Sequence, residues 1–255
     1  MIGPVGFATV SLVVGTRVPG ADREDRVLDN AVWHSLAGVH RRLGSVGEGA
    51  TRFEEDVAPF AALCDRPGPE SWDELAELAG PGGTAVLLMP SPPPVPAGWE
   101  VRARTPGLQL VAAAVRGAPA EGAVDLGPAD VAAMLDLVAR TQPGPFRPRT
   151  VELGRYIGIR RDGELVAMAG ERLRPAGYTE ISAVCTDPAH QGSGLATALV
   201  RDLVGSIDAR GEVAFLHVLT DNVGAAALYE HLGFRHRRDI EAVVLQAPGP
   251  ALGGD

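Results

Sequence analysis

In the second half of the chain, segments with the hydrophobic periodicity of helices follow segments with that of strands. Spacings of three and four residues indicate amphipathic helices, and alternating or continuous apolar runs indicate strands. This order predicts a mixed α/β sheet, antiparallel strands first and a crossover afterwards, flanked by helices. The predicted elements are helix 128–140, hairpin strands 155–160 and 164–173, strand 178–186, helix 194–209, strand 212–219, helix 223–232 and strand 240–246.

The first half of the chain has a less regular pattern. Ser71 is the predicted N-cap of a short helix, with Glu74 at the capping-box position and Gly80 at the stop. A proline-rich segment over 90–96 predicts a stiff, extended connector. The other elements predicted there are a strand over 8–14, a helix over 28–43, a helix over 71–78, and strands over 84–89, 99–103 and 108–114.

These elements divide the chain into three predicted parts. They are a smaller N-terminal α/β domain over 1–104, a main domain over 105–247 and a flexible tail over 248–255. The apolar segment 8–14 lacks a basic flank and is too short to span a bilayer. We therefore expect no membrane partner.

Composition narrows the function classes. The net charge is −9, and all 23 basic residues are Arg, since the chain has no Lys. An acidic balance argues against nucleic-acid binding, which needs a basic surface. Cys64 and Cys185 lie far apart, with no metal-ligand spacing around either. This pattern predicts a cytoplasmic protein without a metal site.

A glycine-rich turn follows the predicted strand 178–186 and opens the next helix. Gly192 and Gly194 leave no Cβ between a ligand and the backbone amides at the helix N-terminus. Such amides suit an anion, here a pyrophosphate. The segment is neither a Walker loop nor a complete dinucleotide fingerprint. A tight turn without a ligand is the alternative interpretation.

A second motif gives the first one a family context. From Asn222 the chain reads Asn-x-x-Ala-x-x-x-Tyr-x-x-x-Gly-Phe, ending at Phe234, and the turn reads Gln-x-x-Gly-x-Ala from Gln191. Together they resemble the signatures of the GNAT superfamily of acyl-CoA-dependent N-acetyltransferases, over about 108–246. Gln191 stands where Arg is commoner. The irregular first half also resembles the architecture of glycine N-acyltransferase-like proteins.

The resemblance implies a GNAT-type sheet and acetyl-CoA as the co-substrate. Strands on either side of the pyrophosphate helix would splay to admit the pantetheine arm, and strand amides would polarise the thioester carbonyl. In a regular strand Glu180, Ser182, Val184 and Thr186 would share one face, with Ile181, Ala183 and Cys185 on the other, and a bulge would break this alternation. The implied coenzyme A residues are Val184, Cys185, Thr186, Gln191, Gly192, Ser193, Gly194, Leu195, Ala196 and Asn222.

Two residues are the predicted catalytic groups. Tyr229 would face the sulfur and donate a hydrogen bond to the departing thiolate, since full proton transfer from a phenol is uphill by about 2 kcal/mol. Glu180 is the predicted base for the attacking amine, directly or through water. Its alternative interpretation is a solvated strand residue. Weaker candidates near the same region are Glu171, Tyr156, His217 and His190.

The residues and the resemblance together predict acetyl transfer from acetyl-CoA to a primary amine by direct attack. Cys185 has no obvious thiolate partner, so a covalent acyl-enzyme is disfavoured. The acceptor is a small-molecule amine or a protein amine, and the N-terminal domain would shape its pocket or bind a partner. A non-catalytic acyl-CoA sensor is the alternative function, and the sequence leaves a homodimer open.

Overall fold

The computed structural model describes residues 24–249, which form a mixed α/β fold. The predicted strand 8–14 and residues 250–255 of the predicted tail lie outside the described residues. The strands are β1 (Gly44–Val46), β2 (Ala50–Phe53), β3 (Ala61–Leu63), β4 (Thr84–Met89), β5 (Glu100–Ala112), β6 (Ala123–Leu126), β7 (Tyr156–Arg161), β8 (Glu164–Glu171), β9 (Tyr178–Thr186), β10 (Val213–Leu219) and β11 (Phe234–Gln246). The α-helices are α1 (Ala31–Ala37), α2 (Pro69–Ala79), α3 (Val131–Thr141), α4 (Leu195–Asp208) and α5 (Val223–Leu232).

Eight strands form one large sheet in the order β4-β11-β5-β10-β9-β8-β7-β6. Neighbouring strands are antiparallel except β9 and β10, which run parallel because α4 crosses over between them. The predicted mainly antiparallel sheet, flanked by helices, is confirmed. The parallel pair lies near the centre of the sheet.

The two faces of the sheet are covered by different helices. Ile157 and Ile159 of β7 pack into the core formed with α4 and α5. Tyr156, which points to the opposite face, packs with Met134 and Leu137 of α3. The segment 28–36 covers the same face as α3, farther along the sheet, in a core that includes Phe215. Both faces of the central strands are therefore buried.

The N-terminal part adds a three-stranded sheet, β1-β2-β3, and also contributes a strand to the large sheet. β4 pairs with β11 inside the large sheet, over Thr84 to Met89. The two strands predicted over 99–103 and 108–114 form one continuous strand, β5. The predicted boundary between Arg104 and Thr105 consequently falls within β5. The division of roles between the two regions stays a prediction.

Several helices and strands begin or end at residues other than the predicted ones. α2 begins at Pro69 after Gly68, so Ser71 lies inside the first turn and is not the N-cap. Glu74 accepts hydrogen bonds from the amides of Gly49 and Ala50 and joins α2 to β2. The predicted helix 28–43 is divided between a 3₁₀ helix over Glu24–Asn30, α1, and a second 3₁₀ turn over Arg41–Leu43. β11 begins at Phe234, six residues before the predicted start. The prediction missed these residues because a run of charged side chains there obscures the alternating pattern of a strand.

Candidate active site

β9 and β10 separate at the centre of the large sheet. Their parallel pairing runs from Tyr178 opposite Val213 to Glu180 opposite Phe215, and then ends. β10 continues to Leu219, paired with β5 on its other side, and β9 continues to Thr186, paired with β8. A gap therefore opens between the two strands toward their carboxyl ends, as the resemblance implied.

A bulge in β9 changes which side chains face the gap. Ala183 has a φ of 52°, and the register with β8 shifts between Gly170 opposite Ser182 and Met168 opposite Cys185. Ala183 and Cys185 consequently pack into the core on the α3 face. Val184 packs against the core of the α4 face. The alternation expected of a regular strand therefore ends at Ser182, because the bulge inserts one residue.

The glycine-rich turn has the backbone that an anion site needs. Gly192 and Gly194 have φ values of 76° and 78°, and Gly194 is the N-cap of α4. A Cβ at either position meets no described atom within 4 Å, so the space beside this exposed turn is open to a ligand. The Ser193 hydroxyl donates to the His190 carbonyl and stiffens the turn. Leu195 and Ala196 begin α4 and direct its first amides toward the turn.

The remaining predicted coenzyme A residues lie at the same end of the two strands. Asn222 is the N-cap of α5, and its side-chain oxygen accepts a hydrogen bond from the Ala225 amide at 3.2 Å. The Thr186 hydroxyl at the end of β9 is buried without a hydrogen-bond partner among the described residues. Gln191 is exposed at the start of the turn. The structure thus places these residues at or after the carboxyl ends of β9 and β10.

Tyr229 lies on α5 and packs into the core on the α4 face. Its ring packs edge-on against Phe234 at 5.8 Å between centroids, and the side chain is buried. Burial raises the pKa of the Tyr229 phenol to about 12, with a smaller contribution from the neighbouring Cys185. The phenol therefore keeps its proton at neutral pH. It is suited to donating a hydrogen bond and not to releasing a proton.

Cys185 lies on β9, beyond its last pair with β10, and its thiol is buried and neutral. Burial raises the pKa of its thiol to about 11, although Thr141, the Met168 backbone and Arg140 act in the opposite direction. A nucleophilic cysteine needs a thiolate, which this environment disfavours. The geometry therefore favours direct transfer over an acyl-enzyme on Cys185.

Glu180 is fully buried and holds its charge through specific partners. Arg172 donates Nε to Oε2 at 2.8 Å and Nη2 to Oε1 at 2.6 Å, and the Leu173 amide donates to Oε2. Burial raises the pKa of this carboxyl, but Arg172 and then His217 outweigh burial and lower it to about 2. A carboxylate with such a pKa is a weak proton acceptor. The solvated-strand alternative is wrong, because Glu180 has no solvent exposure.

His217 on β10 connects Glu180 to the N-terminal part of the chain. Its Nδ1 lies 2.7 Å from Glu180 Oε1, and its Nε2 lies 2.9 Å from Gln109 Nε2. Since the Gln109 amide nitrogen only donates, Nε2 accepts and Nδ1 carries the proton. Gln109 also donates to the Leu28 carbonyl and accepts from Arg237, which binds Asp29.

The other candidate bases lie in different surroundings. Glu171 is buried and accepts a hydrogen bond from Arg210 at 2.8 Å. His190 lies in the 3₁₀ turn before Gln191, where its amide donates to the Asp187 carbonyl. Tyr156 is buried on β7.

Arg172 and Gln109 are site residues that the sequence interpretation missed. Gln109 gave a signal, since it is a single polar residue within the apolar run from Leu108 to Val111. Arg172 follows β8 directly and gave none, because its pairing with Glu180 appears only when the two strands lie side by side.

Two searches of the described residues gave negative results. Within 24–249, no helix is long and apolar enough to cross a membrane. In the same residues, no group of three or more His, Cys, Asp or Glu side chains is placed to hold a metal ion.

Comparison with known proteins supports the resemblance. Residues 156–243 match the family model described as FR47-like protein. The chain is 34% identical to a mycothiol acetyltransferase of Beutenbergia cavernae over 255 aligned positions, covering 90% of this chain and 76% of that protein. It is 43% identical over 84 residues to the N-alpha-acetyltransferase RimI of Mycobacterium tuberculosis, covering 31% of this chain.

A solved structure agrees over nearly the whole described fold. The crystal structure of a GNAT-family acetyltransferase from Novosphingobium aromaticivorans superposes with a TM-score of 0.79 and 39% identity, covering 86% of this chain and 98% of that one. The chain spans about half the length of the RimI relative, at 51%. The long match to the Beutenbergia protein and this superposition show the family. The chain belongs to the GNAT family of acetyltransferases.

Proposed function

We propose that this protein transfers an acetyl group from acetyl-CoA to a primary amine by direct attack. The observation that carries the proposal is the gap between β9 and β10, which opens beyond Glu180 and leads to the turn at Gly192 and Gly194. An extended arm fits between separated strands, and a pyrophosphate fits the turn where α4 begins.

Acetyl-CoA, when bound, supplies a thioester whose acetyl carbon the amine attacks and whose sulfur leaves. The open space at Gly192 and Gly194 fits the close approach of a pyrophosphate to the backbone. Main-chain groups of β9 beyond Glu180 have no ladder partner on β10 and are available to an amide-bearing arm. Val184, Cys185 and Thr186 provide that stretch of backbone.

Tyr229 supports the departure of the thiolate by donating a hydrogen bond. With a phenol pKa of about 12, complete proton transfer to a thiolate is uphill by roughly 5 kcal/mol. A hydrogen bond that strengthens as charge develops on sulfur lowers the barrier without that cost. The proton that the thiolate finally takes comes from the amine through solvent.

In this proposal Glu180 positions neighbouring side chains and does not act as the base. Its carboxylate fixes the tautomer of His217 and the orientation of Arg172. Both oxygens are occupied and its pKa is about 2, so direct proton abstraction from the amine is not favoured. The amine therefore binds in its neutral form or loses its proton to water, and the acidic limb of the rate profile follows the amine's own pKa.

The N-terminal part contributes to the acceptor side in this proposal. The Phe60 ring lies 4.9 Å beneath the Arg172 guanidinium, and the Leu28 carbonyl holds Gln109. These contacts place residues from before β4 against the groups around Glu180. The named relatives are a mycothiol acetyltransferase and an N-alpha-acetyltransferase, and the proposal includes both a small-molecule amine and a protein terminus as acceptor.

Two-substrate kinetics tests direct transfer. Initial rates would be measured against acetyl-CoA concentration at several fixed amine concentrations. The double-reciprocal plots should give intersecting lines, because both substrates are bound at once. Cys185→Ala should keep this pattern. Parallel lines in the wild type, together with lost turnover in Cys185→Ala, would support an acyl-enzyme instead. Acetyl-CoA binding without turnover would support the sensor function.

A further inference from the structure

The loop over 142–149, which follows α3, packs against the part of β9 that lies beyond its last pair with β10. Just before the loop, Nε of Arg140 lies 3.3 Å from Oδ2 of Asp187, which follows β9 directly. Within the loop, Phe146 is buried in the same cluster as Cys185 of β9. Cys185 belongs to the stretch of backbone that the proposed function assigns to the arm of coenzyme A. The loop therefore supports that stretch from the α3 face.

The far end of the loop is attached to the N-terminal part of the chain. The Arg149 amide donates to the Asp56 carbonyl at 2.9 Å. The buried Thr150 hydroxyl donates to the Val57 carbonyl at 2.6 Å and accepts from the Arg147 amide at 2.7 Å. Val57 is itself fully buried. The turn after β2 thus fixes the backbone at the end of the loop.

The Arg149 side chain adds a network of ion pairs to this attachment. Its Nε and Nη2 bind the two carboxylate oxygens of Glu152 at 2.7 and 3.1 Å. Its Nη1 binds the Glu54 carboxylate and lies 3.3 Å from Oδ1 of Asp56. A two-point contact between a guanidinium and a carboxylate fixes the orientation of the guanidinium. One arginine consequently joins the turn after β2 to the end of the loop.

The composition of the loop lets an attachment at one end control the other. Three of its residues are prolines, Pro143, Pro145 and Pro148. Each proline fixes its own φ and reduces the conformations that the segment can adopt. Phe146 lies among these prolines, three residues before Arg149. With Arg149 held, few alternative positions are open to Phe146.

We propose that Arg149 is a positioning residue, which binds Glu54 and Asp56 and so holds the loop 142–149 against β9 for binding of the acceptor amine. The proposal rests on the proposed acetyl transfer, and Arg149 acts in it through the loop and not on the substrates. Phe146 lies on the α3 face of the sheet, whereas α4, which begins at the coenzyme A turn, packs on the opposite face. A displaced loop should therefore affect the amine more than coenzyme A.

Steady-state kinetics with propylamine and glycinamide as acceptors tests this role. In Arg149→Met we expect the KM for each amine to rise about threefold to fivefold, since a partly exposed ion pair contributes modestly. The kcat and the KM for acetyl-CoA should change less than about twofold. The double variant Glu54→Gln, Asp56→Asn should reproduce the rise from the other side of the contact. Arg149→Lys, which keeps the charge and loses the two-point contact, should give a smaller rise.

Arg155→Met is the matched control. The Arg155 side chain is 35% exposed, as is that of Arg149, and it binds the carboxylates of Asp125 and Asp202. This variant should leave both amine KM values unchanged. Salt screens exposed ion pairs, so the ratio of the amine KM in Arg149→Met to that in the wild type should approach one at about 0.5 M NaCl. The ratio cancels the direct effect of salt on the amine.

Hydrogen–deuterium exchange of the peptide 142–153 gives a readout that needs no turnover. Exchange should be faster in Arg149→Met and in the double variant, and unchanged in Arg155→Met. Unchanged exchange in Arg149→Met, a normal amine KM in the double variant, or an equal rise in the KM for acetyl-CoA would overturn the proposal. If the wild type acetylates neither amine, the proposed function fails for these acceptors, and the exchange comparison alone decides this inference.

Discussion

Nδ1 of His217 on β10 lies 2.7 Å from Oε1 of Glu180 on β9, beside the last paired position of those two strands. The contact bridges the strands where they begin to separate. Arg172 secures the other side of the carboxylate, and Gln109 secures the other side of the imidazole. The rigid end of the gap is therefore built from buried polar groups, and the open end from glycine and helix termini.

The buried Glu180 carboxylate makes the free energy of unfolding depend on pH. Its pKa is 4.5 when unperturbed and about 2 in the folded chain, so its contribution is complete above pH 4.5 and is lost as pH falls toward 2. That contribution is roughly 3 kcal/mol. In urea unfolding between pH 6 and pH 3, the wild type should lose more stability than Glu180→Gln. Identical pH slopes would show that Glu180 titrates normally.

Arg172 gives a matched test of the same pair. Arg172→Met alone leaves the buried Glu180 charge uncompensated and should destabilise the fold by about 3–5 kcal/mol at pH 7. Arg172→Met combined with Glu180→Gln removes both charges and should recover much of that loss. Additive losses in the double variant would mean that the two groups do not interact.

Tyr229→Phe tests the role of the phenol at the sulfur. We expect kcat to fall about 10²- to 10³-fold, as for the loss of other transition-state hydrogen-bond donors, with coenzyme A affinity unchanged. Because the phenol pKa is about 12, the basic limb of the rate profile below pH 10 should keep its position in the variant. Equal kcat in the two proteins would remove Tyr229 from the mechanism.

Gly194→Ala and Gly211→Ala form a matched pair. Both glycines have positive φ, 78° and 74°, and a Cβ at either meets no described atom within 4 Å. Each variant should therefore lose about 1–2 kcal/mol of stability from backbone strain alone. Only Gly194→Ala should weaken coenzyme A binding in calorimetry, by tenfold or more if about one bond to the charged pyrophosphate is lost. Equal affinities would place the pyrophosphate elsewhere.

A chain beginning at Thr105 tests whether the N-terminal part is separable. It lacks β4, which pairs with β11, and the first five residues of β5. It also lacks Phe60 beneath Arg172. We expect no cooperative thermal unfolding in circular dichroism. A cooperative transition with normal coenzyme A binding would instead restore a domain boundary near residue 105.

The two motifs that could be predicted from the sequence are determined by residues close together in the chain. The strand, glycine turn and helix around Gly194 are encoded by neighbouring residues, and so is the capping of α5 by Asn222. The bulge was not predictable, because Ala183 with a φ of 52° carries no local sign of it. The hydrogen-bond network around Glu180 could not be predicted for a different reason. Gln109 and His217 are 108 positions apart, and only the sheet order brings them together.

The short strands were missed because they lack a periodic pattern. β1 and β3 have three residues each, rich in glycine or alanine, and they exist only through pairing with β2. β5 was divided at Pro106 and Gly107, which normally interrupt a strand. Both residues are nevertheless paired with β11, opposite Glu241 and Ile240. Tertiary pairing therefore overrode local preference there.

Amine-dependent release of thiol from acetyl-CoA tests the central claim most directly. The full chain would be assayed with a panel of amines, and N-acetylated product would be quantified by mass spectrometry beside the free thiol. The chain has no Lys, so acetyl-lysine detected on a protein acceptor cannot come from the enzyme itself. We expect at least one amine to raise thiol release well above the hydrolysis background, with product and thiol in equal amounts. Tight acetyl-CoA binding with no amine-dependent release across alkylamines, amino acid amides and peptide N-termini would contradict the claim and indicate a sensor.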